Sequence, residues 1–115
     1  MSERPIRTYG EFWPYYVNAH RRPMTRRLHF IGTTLAILCI AAVIAGYSLW
    51  LLLAAPVIAY AFAWAGHFWM EKNRPATFGH PIWSLVSDFR MFGLMCLGRM
   101  TQEVKRIALT PSRER

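Results

Sequence analysis

Polar and apolar positions along the chain separate into three blocks. Residues 30–66 form a run without a single charged side chain, while the segments on either side mix aromatic, apolar and basic positions. A spanning helix needs about 20 apolar residues, so the run is too long for one crossing and just long enough for two. Gly46-Tyr47-Ser48 interrupts it and predicts spans over residues 30–45 and 49–66. At the rise of an α-helix each piece reaches roughly 24–27 Å, the short end for a hydrocarbon core of about 30 Å. Tyr47 and Trp50 mark one interface, Phe68 and Trp69 the other, as aromatic belts do. Pro56 removes one backbone donor from the second span and is a candidate kink.

The flanks read differently. Residues 9–20 predict a short aromatic helix lying at the interface, with Pro14 in its first turn and the Arg22-Pro23 step ending it. Residues 73–81 hold two prolines and a glycine, a structured loop. Pro81 then opens a last helix over residues 82–107, amphipathic through Asp88, Arg90, Arg99, Glu103 and Lys105. Its apolar stretch 91–97 is too short to span, so the helix is interfacial or packed under the hairpin. Residues 110–115 read as a disordered tail. The pattern predicts an all-α membrane protein: one membrane domain over residues 1–109, a transmembrane helical hairpin with flanking interfacial amphipathic helices.

Composition and charge sharpen this. The 115-residue chain is 54% apolar and carries a net charge of +8, an unusual pairing for a soluble domain. Residues 1–29 hold six basic and two acidic side chains, residues 67–115 eight and four. Basic residues gathered just outside apolar spans follow the positive-inside rule. They predict a multi-pass integral membrane protein with both termini cytoplasmic, in contact with the lipid bilayer and not with nucleic acid. The location expected is a bacterial inner membrane, or the endoplasmic reticulum in a eukaryote. Cys39 and Cys96 sit in apolar runs far apart in sequence, which fits buried apolar residues better than a disulfide.

The chain has four histidines: His20, His29, His67 and His80. His29 immediately precedes the first predicted span and His67 immediately follows the second. A hairpin returns its ends to one membrane face, so these two are neighbours in depth, and His20 and His80 lie on short segments beside them. Four imidazoles meeting would make a transition-metal site. Each histidine taken alone also fits an ordinary interfacial role, with one edge wet. Glu71, four residues after His67, could ligate a metal, orient His67, or pair with Lys72 or Arg74.

The run Gly66-His67-Phe68-Trp69-Met70-Glu71-Lys72-Asn73-Arg74-Pro75-Ala76-Thr77-Phe78, continued by His80-Pro81-Ile82-Trp83-Ser84-Leu85 and Asp88-Phe89-Arg90-Met91, is more specific. With Tyr16-Val17-Asn18-Ala19-His20 and His29-Phe30-Ile31-Gly32 upstream, it closely resembles the bacterial branch of the 2-hydroxy fatty acid α-dioxygenase family, which includes a fungal enzyme of the endoplasmic reticulum. The likeness covers roughly residues 9–100. Family members often carry Asn between the first two histidines, where this chain has Thr25. The resemblance implies an Fe(II)-dependent dioxygenase that uses O2 to shorten a 2-hydroxy fatty acid by one carbon. It implies that His20, His29, His67 and His80 hold the iron.

A 2-hydroxy acid can take two iron positions and oxygen a third, leaving three for protein in six-coordinate iron. No more than three histidines are therefore expected to bind directly once substrate is present. His29 and His67, anchored on the spans, are the first of them. Lys72, Arg74 or Arg90 could hold the substrate carboxylate, and each also fits a lipid-headgroup contact. Two other readings stand beside this one. One is a haem b protein with His29 and His67 as axial ligands; the other is a non-catalytic membrane scaffold or lipid-binding protein.

Overall fold

The computed structural model describes residues 5–75 and 79–109. Among the described residues all regular structure is helical: α1 (Tyr9–Asn18), α2 (Pro23–Ile44), α3 (Leu51–Ala65) running into a π-helical segment (Gly66–Glu71), α4 (Pro81–Cys96) and α5 (Met100–Leu109). The chain divides into two compact units, residues 22–75 and the segments on either side of them.

Residues 22–75 form the hairpin. Pro23 opens α2 at the first helical position, where its missing N–H costs nothing and its fixed φ suits a helix. The helix closes on Ala45 through two bonds: Gly46 N–H to the Val43 carbonyl and Tyr47 N–H to the Ala42 carbonyl, each 3.0 Å. This Schellman closure needs a left-handed residue, and Gly46 supplies it at φ 98°. α3 continues through Pro56. The two helices meet where side chains are smallest: a Cβ on Gly32 would come within 2.8 Å of the Phe62 Cβ, and one on Gly66 within 3.0 Å of the Thr25 Cγ2. Small residues of this kind let helices approach closely inside a membrane.

Both arms are longer than the spans predicted within the uncharged run. α2 extends over 22 residues and the second arm over 21, about 32 Å each at the rise of an α-helix, long and apolar enough to cross a bilayer. The polar ends are taken into the helices because Pro23 starts α2 early and the π turns carry the second arm to Glu71. His29 and His67 are thus inside the helices rather than just outside them. The outward faces are apolar: Leu38, Ile44, Leu53 and Val57 are 59–82% exposed.

In the other unit, Thr8 caps α1, its hydroxyl accepting from the Glu11 N–H at 3.2 Å. Because α1 begins at Tyr9, Pro14 lies in its second turn and not its first. Phe12, Trp13, Tyr16 and Val17 form one buried face of α1 and pack with Met91 of α4 and Met100 and Ile107 of α5. The single helix expected over 82–107 is two. Gly98, at φ 70°, ends α4 with the same Schellman bonds, Gly98 N–H to Met95 and Arg99 N–H to Leu94. The break lets α4 and α5 each lay an apolar side against α1. Both cysteines are free; Cys39 is half-buried and Cys96 is exposed rather than buried. Residues 76–78 of the loop motif and the 110–115 tail lie outside the described residues.

Candidate metal centre

The hairpin brings His29 and His67 together. Their rings meet edge to face, with centroids 5.6 Å apart and planes at 90°, and they are 6% and 2% exposed. His29 stands on α2 one turn after Thr25, and Thr25 packs on Gly66, the residue before His67. A side chain at Gly66 would crowd the Thr25 methyl at 3.0 Å, so a neighbour would have to give way next to the imidazoles.

The π segment aims His67. Its i→i+5 bonding turns the backbone by less per residue than an α-helix, so Glu71, at i+4, is not the residue that reaches the ring. Lys72 ends the segment in the left-handed conformation (φ 58°, ψ 43°), a strain of about 1 kcal/mol for a residue with a Cβ. That turn carries Asn73 back over His67. The Asn73 N–H donates to the His67 carbonyl at 2.9 Å, and the His67 Nδ1–H donates to Asn73 Oδ1 at 2.8 Å. Nε2 therefore bears the ring's lone pair. This is how a neighbouring acceptor fixes the tautomer of a metal-binding imidazole. Asn73 stands in the sequence motif, but its role could not be read there, because only the π turns and the left-handed Lys72 bring position i+6 to the ring.

Glu71 does something else. Its Oε2 accepts from the Arg22 N–H at 2.6 Å. Arg22 is the N-cap of α2, so the carboxylate joins the start of one arm to the end of the other, at the positive end of a helix dipole. Lys72 and Arg74 are exposed on the chain that leaves the π segment.

The other two histidines belong to the three-helix unit. His20 follows the last turn of α1 and is 1% exposed. Its ring stacks on Tyr16 with centroids 4.1 Å apart, and its Nδ1–H donates to the Tyr16 carbonyl at 2.6 Å. Here too the Nε2 bears the lone pair. Tyr16 in turn donates its hydroxyl to Asp88 Oδ1 at 2.5 Å. Burial pushes the Asp88 carboxyl up to about 6, against the opposing pull of the Tyr16 hydroxyl. Burial, and then the Asp88 carboxylate, push the Tyr16 hydroxyl well above its ordinary value.

His80 is half-buried at the N-cap of α4. It stacks on Trp83 with centroids 5.5 Å apart and touches the Phe12 ring. Arg90 places its guanidinium 4.0 Å from the centroid of the Trp13 ring.

Three of the four histidines, His20, His29 and His67, are thus buried, and as a group they could bind a metal ion. The donors suit a transition metal: neutral imidazoles, two of them with the tautomer set by a backbone or amide oxygen. An all-imidazole set leaves the charge of a divalent ion uncompensated, which favours an anionic ligand such as a carboxylate. Comparison with protein families gives a match over residues 6–100, to a family described as 2-hydroxy-palmitic acid dioxygenase Mpo1-like. No curated protein and no solved structure matches the chain.

Proposed function

Because the chain belongs to the 2-hydroxy-palmitic acid dioxygenase Mpo1-like family, we propose that it is a membrane-embedded, Fe(II)-dependent dioxygenase that converts a 2-hydroxy fatty acid to the acid one carbon shorter. One O2 per acid balances the reaction, with the carboxyl carbon leaving as CO2 and one water formed. The observation that carries the reading is the buried His29–His67 pair, with the His67 tautomer held by Asn73.

We assign His20 as the third ligand. It is buried with its Nδ1–H already committed, and it stands two residues before the α2 N-cap, too few to carry it far from the mouth of the hairpin. Three imidazoles leave three iron positions for the hydroxy acid and oxygen. His80, stacked in the aromatic cluster, stays outside the set. Iron at this site would supply the binding and activation of O2. We assign Lys72 and Arg74, exposed beyond the π segment, to the substrate carboxylate, while Arg90 serves the packing of Trp13. Glu71 holds the two arms in register.

The two arms cross the bilayer, which covers their exposed Leu and Ile faces; each such side chain left in water would cost about 2 kcal/mol. Tyr47 and Trp50 at the turn and Phe68 and Trp69 at the other end are exposed aromatic side chains suited to the two interfaces. The basic flanks put both termini in the cytoplasm.

The test is purification without oxygen in the presence of Fe(II), then addition of 2-hydroxypalmitate and O2. Mass spectrometry should find pentadecanoate, with O2 consumed in equal amount. Iron-loaded protein that leaves 2-hydroxy acids of several chain lengths intact would sink the substrate assignment. A wild type with no iron would sink the metal assignment, and a Soret band would replace it with haem.

A further inference from the structure

Thr25 is completely buried, at 0% exposure, and its hydroxyl has no hydrogen-bond partner. Such an orphan costs about 1–3 kcal/mol, so a chain that merely needed to fill this space would do better with valine. The surroundings say where the residue stands. Thr25 precedes His29 by four residues on α2, one turn away on the same face. Its methyl group rests where a Gly66 side chain would be, and Gly66 adjoins His67. Thr25 thus stands at the crossing that carries both imidazoles of the hairpin.

We propose that the Thr25 hydroxyl is a specificity-determining contact for the 2-hydroxyl group of the bound acid. This rests on the dioxygenase reading given above. The carboxylate of the acid has Lys72 and Arg74 to meet it, whereas the 2-hydroxyl needs a small neutral group that can both donate and accept. A threonine hydroxyl is such a group. A site with a buried hydroxyl of its own penalises a ligand that lacks the matching one, because the protein group then stays unpaired. Thr25 accordingly selects 2-hydroxy acids over plain fatty acids.

The experiment compares wild type, Thr25→Val and Thr25→Ser, each loaded with Fe(II) without oxygen so that no turnover occurs. Iron content, thermal unfolding, and binding of 2-hydroxypalmitate and of palmitate are measured in the same detergent. Thr25→Val is expected to keep its iron, to unfold at the wild-type temperature or above it, and to bind 2-hydroxypalmitate about tenfold more weakly. Its affinity for palmitate should change by less than about twofold, and Thr25→Ser should recover most of the loss. Unchanged 2-hydroxypalmitate binding in Thr25→Val overturns the proposal. So does an equal loss for both acids, which would mark a packing role. If Thr25→Val fails to load iron, Thr25→Ala removes the same hydroxyl with less bulk and is read the same way. Wild type without iron overturns this proposal together with the dioxygenase reading, whereas iron-loaded wild type beside an unaffected Thr25→Val overturns the Thr25 role alone.

Discussion

In the hairpin many large apolar side chains are exposed and several polar ones are buried, with Thr25, His29 and His67 where the arms meet. Thr25, Arg26, His29, Thr33 and His67 are all under 10% exposed, while Ile44 and Leu53 are three-quarters exposed or more. The three-helix unit is arranged the other way. Its centre is aromatic and apolar, and its polar atoms act as staples across helices: Tyr9 Oη with Ser87 Oγ at 2.9 Å, Trp13 Nε1–H to Glu103 at 2.6 Å, Tyr16 to Asp88 at 2.5 Å. A staple returns the desolvation cost of its own atoms. Polar groups collected between spans are rarely worth their cost as structure and commonly mark function. The contrast therefore sets a hairpin that buries polar groups, His29 and His67 among them, against a unit that, His20 apart, supplies packing, and it can be tested by breaking each in turn.

The largest effect is expected from the hairpin. His67→Ala or His29→Ala should remove iron binding and, with it, all measurable turnover, while the helical content stays at the wild-type level. Iron analysis beside circular dichroism checks both halves. Retention of stoichiometric iron in either variant would show that the pair is not a ligand pair. Asn73→Ala comes next. Partners that orient a ligating imidazole are typically worth 10–100-fold in metal affinity, so iron should bind that much more weakly while the protein still folds. Asn73→Asp, which keeps the acceptor, should recover most of the loss. Equal weakening in both variants would mean that Asn73 acts through the loop fold and not through the ring.

The hairpin was legible in the sequence because its signal is collective: 37 uncharged residues with one break allow little else. The pairing of His29 with His67 followed from topology alone, without any side-chain detail. What stayed hidden depended on local backbone geometry. The π turns displace Glu71 and bring in Asn73, and no periodicity in Gly66–Glu71 announces a π-helix. The division of the last helix at Gly98 was hidden for a related reason. A lone glycine inside an amphipathic pattern is usually tolerated, and here it takes the left-handed cap only because two short helices can each pack on α1. The aromatic residues of α1 suited a membrane surface, yet Phe12, Trp13 and Tyr16 are buried in a core with α4 and α5.

Smaller effects belong to the supporting unit. Burial raises the Asp88 carboxyl from 3.8 to about 6, so the folded protein favours its neutral form. The stability linked to that proton is fully present below about pH 4 and is lost as pH rises through about 6. The shift is worth about 2 kcal/mol once partial exposure is allowed for. Asp88→Asn keeps a neutral acceptor for Tyr16 and should remove this dependence. Unfolding curves between pH 4 and pH 7 should therefore fall for wild type and stay level for the variant. Parallel curves would show that Asp88 is ionised at no cost, and that the staple is an ordinary surface bond.

The smallest effect is expected at Trp13, and its smallness is informative. Trp13→Phe keeps an aromatic face for the Arg90 guanidinium but removes the N–H that reaches Glu103. Glu103 would not be stranded, because Arg106 also donates to both of its oxygens, at 3.0 and 2.5 Å. Those bonds are the main reason the Glu103 carboxyl is held down at about 2. With the carboxylate still satisfied, the loss should be that of one hydrogen bond, about 1 kcal/mol. A cycle of Trp13→Phe, Glu103→Ala and the double variant should give a coupling of about 0.5–1.5 kcal/mol by thermal or chemical unfolding. Iron content and turnover should stay at wild-type values throughout. If Trp13→Phe instead lost iron as His67→Ala does, the division of labour between the two units would be wrong. The aromatic core of α1 would then belong to the centre itself, acting through His20, which follows the last turn of that helix and stacks on Tyr16.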